Sequence, residues 1–416
     1  MMFADRSLRR RIIFTLCALA VFRVLAAIPV PGIDTVQLSN LLNSNQLLGL
    51  FNVFSGGGLS HLSIVMLGVG PYITGSIIMQ LLTILSPRLK ALYQEEGEAG
   101  RKKFSQYSRL LTVPLAAVQG FSFLVLLENQ GVLPHLGIFA LVINLAVIIA
   151  GSVFLMWVGE LVTEFGIGNG LSLIIFAGIV ANLPSTVGQL WIQLQSDPSL
   201  ATTYLAFVVA AVLVIYGVVV VTEAERPIPV TYAKRVRGMK VYGGTSTYIP
   251  LRVNQAGVIP IIFALSLLLF PQMIFSALTK LSNATIVSLA NSGLTLFNNP
   301  WFYATLYFLL VFAFTYFYTA VTFDPHTLAT NLQKNGAFIP GVRPGDPTSS
   351  YISTVLTRIT LVGAIFLGII AVLPMLGRAI SGNTTFAIGG TALLIVVSVV
   401  LDIAKKVDAQ ISMREY

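Results

Sequence analysis

Apolar runs about as long as a bilayer is thick recur along the whole 416-residue chain, and a run of about 20 such residues is what a helix needs to cross the hydrocarbon core. They fall at Ile12–Ile28, Ile64–Leu85, Leu110–Leu127, Gly137–Val158, Leu171–Leu190, Tyr204–Val221, Ala256–Leu278, Trp301–Phe323, Val355–Leu373 and Phe386–Ala404. Charged residues make up only 10% of the chain and hydrophobic residues 56%, against roughly 25% charged in a soluble domain. So few charges cannot cover a soluble protein of this size, so lipid must do the covering. The fold class this predicts is an all-α polytopic membrane protein with ten transmembrane helices.

Arg9-Arg10-Arg11 followed by Ile12–Phe22 imitates a secretory signal, and Ala26-Ala27 imitates its cleavage site. The apolar run continues through Arg23 to Ile28 and many more follow, so a retained first helix is the expectation. An even number of spans puts both termini on one side. The alternate connections on that side are 1–11, 87–109, 159–170, 223–255, 324–358 and 405–416. They hold every Lys and Arg except Arg23, Lys280 and Arg378. The positive-inside rule therefore places both termini in the cytoplasm. This asymmetry accounts for the net charge of +9 without invoking nucleic acid.

Enzymatic chemistry finds little to stand on. The single cysteine, Cys17, lies in an apolar run and can form no internal disulfide. It is expected to be a buried free thiol. His61, His135 and His326 are far apart, and neither H-E-x-x-H nor a phosphate-binding G-x-x-x-x-G-K-[ST] loop occurs. No catalytic residue, metal site or cofactor is expected, so energy must come from partners.

Two connections are long: Pro29–Ser63 on the outer side and Glu223–Gln255 on the cytoplasmic side. Each is the first connection of a five-span half, and because five is odd the halves are inverted. Gly68-Val69-Gly70-Pro71 and Gly257-Val258-Ile259-Pro260 recur early in the second and seventh spans, and interruptions at matching places in inverted halves point to a working interface. The expected division is 1–195 for spans one to five and 196–416 for spans six to ten. Intramembrane ionisable groups, the usual mark of an ion pathway, are scarce. Arg23 is the clearest, with Glu160, Glu164 and Asp402 near span ends. The second, fifth, seventh and tenth spans instead offer Val69, Ile73, Leu171, Ile175, Ile259, Ile262 and Ile395. Val69/Ile73 and Leu171/Ile175 each share a helix face. From the residues alone, plain helix packing or lipid contact is the better reading of this set.

Several loop sequences carry a resemblance. Glu95–Tyr107 (EEGEAGRKKFSQY), Gly166–Gly170 (GIGNG), Tyr232–Arg235 (YAKR), Pro250–Pro260 (PLRVNQAGVIP), Gly336–Gly345 (GAFIPGVRPG) and Phe54–Gly57 (FSGG) all resemble segments of the SecY family, in order along nearly the whole chain. The wording of Tyr248–Pro260 and Leu161–Gly170 is similar to cyanobacterial or plastid members.

The resemblance implies a protein-conducting channel: two inverted five-helix halves around an hourglass pore, passing unfolded polypeptides across the membrane and releasing hydrophobic segments sideways into lipid. It implies a constriction ring of Val69, Ile73, Leu171, Ile175, Ile262 and Ile395. A plug is implied around Leu50–His61, within a segment of about 50–63, including Phe54, Ser55, Gly56, Gly57, Gly58 and Leu59. A lateral gate between spans two and seven is implied, with polar residues Gln80, Gln119 and Ser266. The cytoplasmic loops, with Lys234, Arg235, Arg237 and Arg343, resemble docking sites for the ribosome or the SecA motor. Further implied partners are SecE- and SecG-type small membrane subunits, precursor polypeptides with their signal sequences, and lipid. The implied location is a bacterial plasma membrane or a thylakoid membrane. One departure is Pro227, which stands where many relatives have a second basic residue. The rival reading is an ion-coupled small-solute transporter, which would need the intramembrane acids that are scarce here.

Overall fold

The computed structural model describes residues 6–30, 55, 57–59, 62–129, 131–133, 137–197, 201–232, 235–237, 240–242, 246–279, 283–381 and 389–415. The helices that answer to the ten apolar runs are α1 (Arg6–Ala26), α2 (Gly70–Leu85), α4 (Gly97–Asn129), α5 (Ile138–Phe165), α6 (Gly170–Ser196), α7 (Ala201–Glu223), α8 (Ile259–Leu278), α10 (Pro300–Thr322), α12 (Asp346–Ser381) and α13 (Gly389–Glu415). Between them lie the shorter α3 (Pro87–Gln94), α9 (Ala284–Asn298) and α11 (Pro325–Lys334). Among the described residues, 7 helices are long and apolar enough to cross a membrane: α4, α5, α6, α7, α8, α10 and α12. α1 and α13 carry charges at their ends, and α2 has only 16 residues.

The packing has a repeat. α1 packs on α5 and α6, α2 on α4 and α5, α4 on α5, and α5 on α6. In the second set α7 packs on α12 and α13, α8 on α10 and α12, α10 on α12, and α12 on α13. Replacing each helix of the first set by its successor five spans later reproduces every one of these neighbours. The sets meet where α8 packs on α2 and α4, and where α6 packs on α13. The α2–α8 and α6–α13 seams each join a helix to its own or its partner's equivalent, so they lie on the axis relating the halves.

Outward faces are apolar, as lipid requires. On α7 only 6% of the span is buried, and Leu205, Val208, Val212, Leu213 and Tyr216 are all exposed. Cys17 is exposed on α1, contrary to the expected buried thiol. The helical run around it is amphipathic in lipid terms, and its small side chain lies on the outer face beside the exposed Leu16 and Val21.

Helix starts follow local chemistry. The Asn169 carboxamide oxygen accepts from the backbone N–H groups of Leu171 and Ser172 at 3.1 and 3.3 Å, capping α6. Asn299 caps α10 ahead of Pro300 in the same way, at 3.1 Å from the Trp301 N–H. The expected boundaries shift at two places. The second span begins as helix at Gly70, not Ile64, because residues 64–69 are held in turns with Gly68 at φ +57°. The connection expected over Trp191–Thr203 is narrower, because α6 runs on to Ser196 and α7 starts at Ala201.

The long connections after α7 and α10 are not all helical. β1 (Glu225–Tyr232), β2 (Arg235–Arg237), β3 (Lys240–Tyr242), β4 (Ser246–Arg252) and β5 (Ala337–Phe338) form two small antiparallel sheets, ordered β4-β1-β5 and β2-β3. Pro227 lies opposite Pro250. Neither can donate a ladder hydrogen bond, so both suit a pair whose N–H positions point away from each other. β5 joins β1 only at Thr231 and Tyr232, beyond the last proline. Ile228, Val230 and Leu251 bury one face of this sheet against Leu332, Ala337, Ile339 and Ile352. The two connections thus share one small core.

α9 divides its surface three ways. Ala290 is buried and Phe297 half-buried towards α8 and α10; Ile286, Leu289 and Leu296 are exposed apolar residues; Ser288, Asn291 and Thr295 are exposed polar ones. That distribution suits a helix lying in a membrane interface.

Candidate functional site

The largest buried cluster runs through the middle of the molecule, between the two sets of helices. Val69 and Ile73 enter it from the start of α2, Ile175 from α6, Ile262 from α8 and Ile395 from α13; Leu171 and Ile259 pack against it half-buried. These side chains come from the four helices that form the α2–α8 and α6–α13 seams. Around them lie Phe22, Val258, Phe263 and Leu268. All six residues expected in a ring are therefore brought into or against one continuous hydrophobic cluster. These six side chains offer water and ions no hydrogen bonds, and a narrow passage lined by such groups dewets.

The Gly-Val-x-Pro patterns sit at the starts of α2 and α8. Gly68 and Gly257 take positive φ, +57° and +61°, which only glycine adopts freely. Pro71 and Pro260 then occupy the second helical position, where a missing N–H costs no intrahelical bond. The patterns thus terminate the incoming turn and start the helix. The Val69 carbonyl accepts from the Ile73 N–H at 3.1 Å, and the Val258 carbonyl from the Ile262 N–H at 3.3 Å.

Beside this core lies part of the segment read as a plug. Phe54 and Gly56, with residues 50–53 and 60–61, lie outside the described residues. Ser55 and Leu59 are buried. The Leu59 N–H donates to the Ser55 hydroxyl at 3.2 Å, and the Ser63 N–H donates to the Gly58 carbonyl at 2.9 Å, closing a compact turn. Leu59 packs with Leu62, Leu67, Leu124, Leu127 and Ile148, so the turn is anchored on α4 and α5. A Cβ on Gly68 would stand 2.7 Å from Ser55 Cα: the backbone at the start of α2 touches the turn directly.

Gln80 lies on α2, Gln119 on α4 and Ser266 on α8, three helices in mutual contact. Gln119 is buried, and its Nε2 donates to Thr74 Oγ1 of α2 at 3.4 Å, a long bond. Gln80 Oε1 is buried with no hydrogen-bond partner. Ser266 is half-buried. The polar bonds of this seam are thus weak or unmade.

In the connection between α10 and α12, Arg343 is exposed in a turn braced by Gly341 and Gly345, both at positive φ. Its carbonyl accepts from Thr348 Oγ1 at 2.8 Å. Pairing of β1 with β5 brings this loop beside the 223–255 loop. Arg235 and Arg237 lie in β2, and Lys234 is outside the described residues. Three features were not read from sequence: this shared sheet, α9, and the ion pair of Arg109 with Glu160 at 2.6 Å that ties α4 to α5.

The family profile for SecY matches residues 63–404. The chain belongs to the SecY family. Curated relatives include the protein translocase subunit SecY of Mycobacterium tuberculosis (strain ATCC 25618 / H37Rv), 42% identical with 98% of this chain and 96% of the relative covered. That of Streptomyces coelicolor is 43% identical, covering 100% and 97%. Among solved structures the fold is similar to that described as "The structure of a protein conducting channel", with TM-score 0.67 at 19% identity over 97% of this chain and 93% of that one. It is also similar to that of a study of the plug domain of SecY, with TM-score 0.68 at 20% identity over the same shares. A SecY-family chain is a multi-pass membrane subunit of a protein translocase.

Proposed function

We propose that this chain forms a protein-conducting channel, passing unfolded polypeptides across a bacterial plasma membrane and releasing hydrophobic segments into lipid through the α2–α8 seam. The observation that carries this reading is the convergence of Val69, Ile73, Leu171, Ile175, Ile262 and Ile395 from both halves on one hydrophobic cluster. The proposed ring seals by excluding water and yields to any passing side chain without binding it. Residues 1–195 and 196–416 act as the two halves; the α2–α8 seam is the gate, and the α6–α7 connection lies towards the α6–α13 side. Ser55–Leu59 belongs to a plug that rests on the first half. Gln80, Gln119 and Ser266 bias the gate towards closure.

The chain does no bond chemistry of its own in this scheme. A cytoplasmic motor of SecA type or a ribosome supplies the drive, docking on Arg343 and the 223–255 loop from the cytoplasmic side, where both termini lie. SecE- and SecG-type subunits cover exposed apolar helices, α7 being the barest. The experiment is precursor transport into proteoliposomes holding the purified chain, small subunits of that type and the motor. ATP-dependent protection of precursor from protease supports the reading. Protection that is unchanged when this chain is left out overturns it.

A further inference from the structure

We propose that Arg23 of α1 and Asn182 of α6 form a polar latch that holds the plug turn at Gly57 while the channel is closed. The inference rests on the channel reading above and deepens it by naming the residues that position the plug.

An arginine within a span is costly unless it is paired or reaches water. Arg23 stands in the last turn of α1, between Phe22, which is buried in the main core, and Val24, which is exposed to the lipid side. Its side chain does not turn outward. Nη1 is buried and without a hydrogen-bond partner. What it faces is the plug turn: a Cβ built on Gly57 would lie 3.5 Å from Arg23 Nη1. The same point is 2.8 Å from Asn182 Nδ2 and 3.3 Å from Asn182 Oδ1. Arg23, Asn182 and the Gly57 backbone therefore meet at one place, drawn from α1, α6 and the connection between α1 and α2.

The chemistry of the three is complementary. A guanidinium has five donors and no acceptor. An irregular turn offers carbonyl oxygens, and the Asn182 carboxamide offers an acceptor and a donor together. Gly57 fits for two reasons: its φ of +80° disfavours any other residue, and a side chain would strike Asn182. With no side chain between them, the guanidinium and the carboxamide stand close to the turn's backbone. A latch made to backbone reads no sequence in the plug and is undone by a small displacement of the turn. Nη1 has no other partner, so it is the donor available to the latch.

The test uses the full chain with its small subunits in proteoliposomes. Cys17, exposed on α1, is first replaced (Cys17→Ser), and Leu59→Cys is introduced as a probe of plug release. In the closed channel this buried position reacts slowly with a maleimide. Arg23→Gln and Asn182→Ala are each expected to raise the labelling rate about tenfold, the scale of one hydrogen bond to a charged group. The double variant should exceed neither single by much, because both act on one latch. Arg23→Lys, which keeps the charge but not the fork, should fall between. Precursor transport by the parent separates the two claims. Failure of the parent to transport counts against the channel reading. Transport by the parent with unchanged labelling in Asn182→Ala, a mild substitution that decides the matter even where Arg23→Gln fails to fold, overturns the latch.

Discussion

Gly68 and Gly257 adopt the same left-handed backbone, φ +57° and +61°, each three residues before the proline that occupies the second position of its helix. They are equivalent residues of the two halves, but their surroundings differ. A Cβ on Gly68 would meet Ser55 Cα at 2.7 Å, whereas one on Gly257 would meet nothing within 4 Å. Gly257→Ala should therefore cost about 1 kcal/mol, the backbone penalty alone. Gly68→Ala should cost clearly more and should also displace the plug turn. Thermal unfolding of the two variants in detergent checks this; equal losses would mean that Ser55 does not press on the start of α2.

The ring makes a second prediction. Ile73 and Ile262 stand at the same offset from these glycines and are both buried in the central core. Ile73→Asn or Ile262→Asn puts a hydrogen-bonding group in the proposed ring and should raise the resting ion conductance of channel-bearing vesicles. Vesicles that stay as tight as those with the parent chain would show that the seal lies elsewhere.

Much of this architecture was legible from hydropathy, because a bilayer span is a one-dimensional signal that tertiary packing does not override. Boundaries were less so. Ile64–Leu67 read as span because they are apolar, yet positive φ at Gly68 holds them in turns. α9 escaped notice because its apolar residues are split between a buried stripe and the exposed Ile286, Leu289 and Leu296, leaving no single run. The sheet was hidden by Pro227, Pro229 and Pro250, which read as loop residues and here occupy strand positions that need no donor. The ring residues were indistinguishable from packing residues by type or spacing, since an aliphatic seal and an aliphatic core are built alike. Only the family resemblance singled them out, and the structure then placed them in one cluster. Arg23 was visible as an ionisable residue in a span, but nothing local in sequence pointed it at Gly57.

Docking gives the third prediction. Arg343 is exposed and its turn is braced through its carbonyl, not its side chain. Arg343→Glu should leave the unfolding temperature within about a degree of the parent, as surface substitutions do, and should impair motor-driven precursor transport severalfold. Near-normal transport would deny this arginine an important role.

A fourth concerns α11, which supports the same loop. Asp324 caps it, accepting from the His326 N–H at 2.9 Å and from Thr327 Oγ1 at 2.7 Å. The Thr327 hydrogen bond is the main cause holding its carboxyl below the usual aspartate value. A depressed folded-state value contributes stability above the unfolded one, and this is lost as pH falls through the folded value. Asp324→Ala should cost about 1 kcal/mol at neutral pH, and the gap from the parent should close in acid below about pH 4. A gap unchanged down to pH 2 would show that the carboxylate charge is not what caps the helix.

The gate decides the central claim. α2 and α8 belong to different halves and pack directly against each other. A cysteine pair placed across that seam in a Cys17→Ser chain, oxidised to completion, should stop precursor transport into proteoliposomes, and reduction should restore it. Full cross-linking with transport unchanged would contradict a path that opens between the halves at α2 and α8.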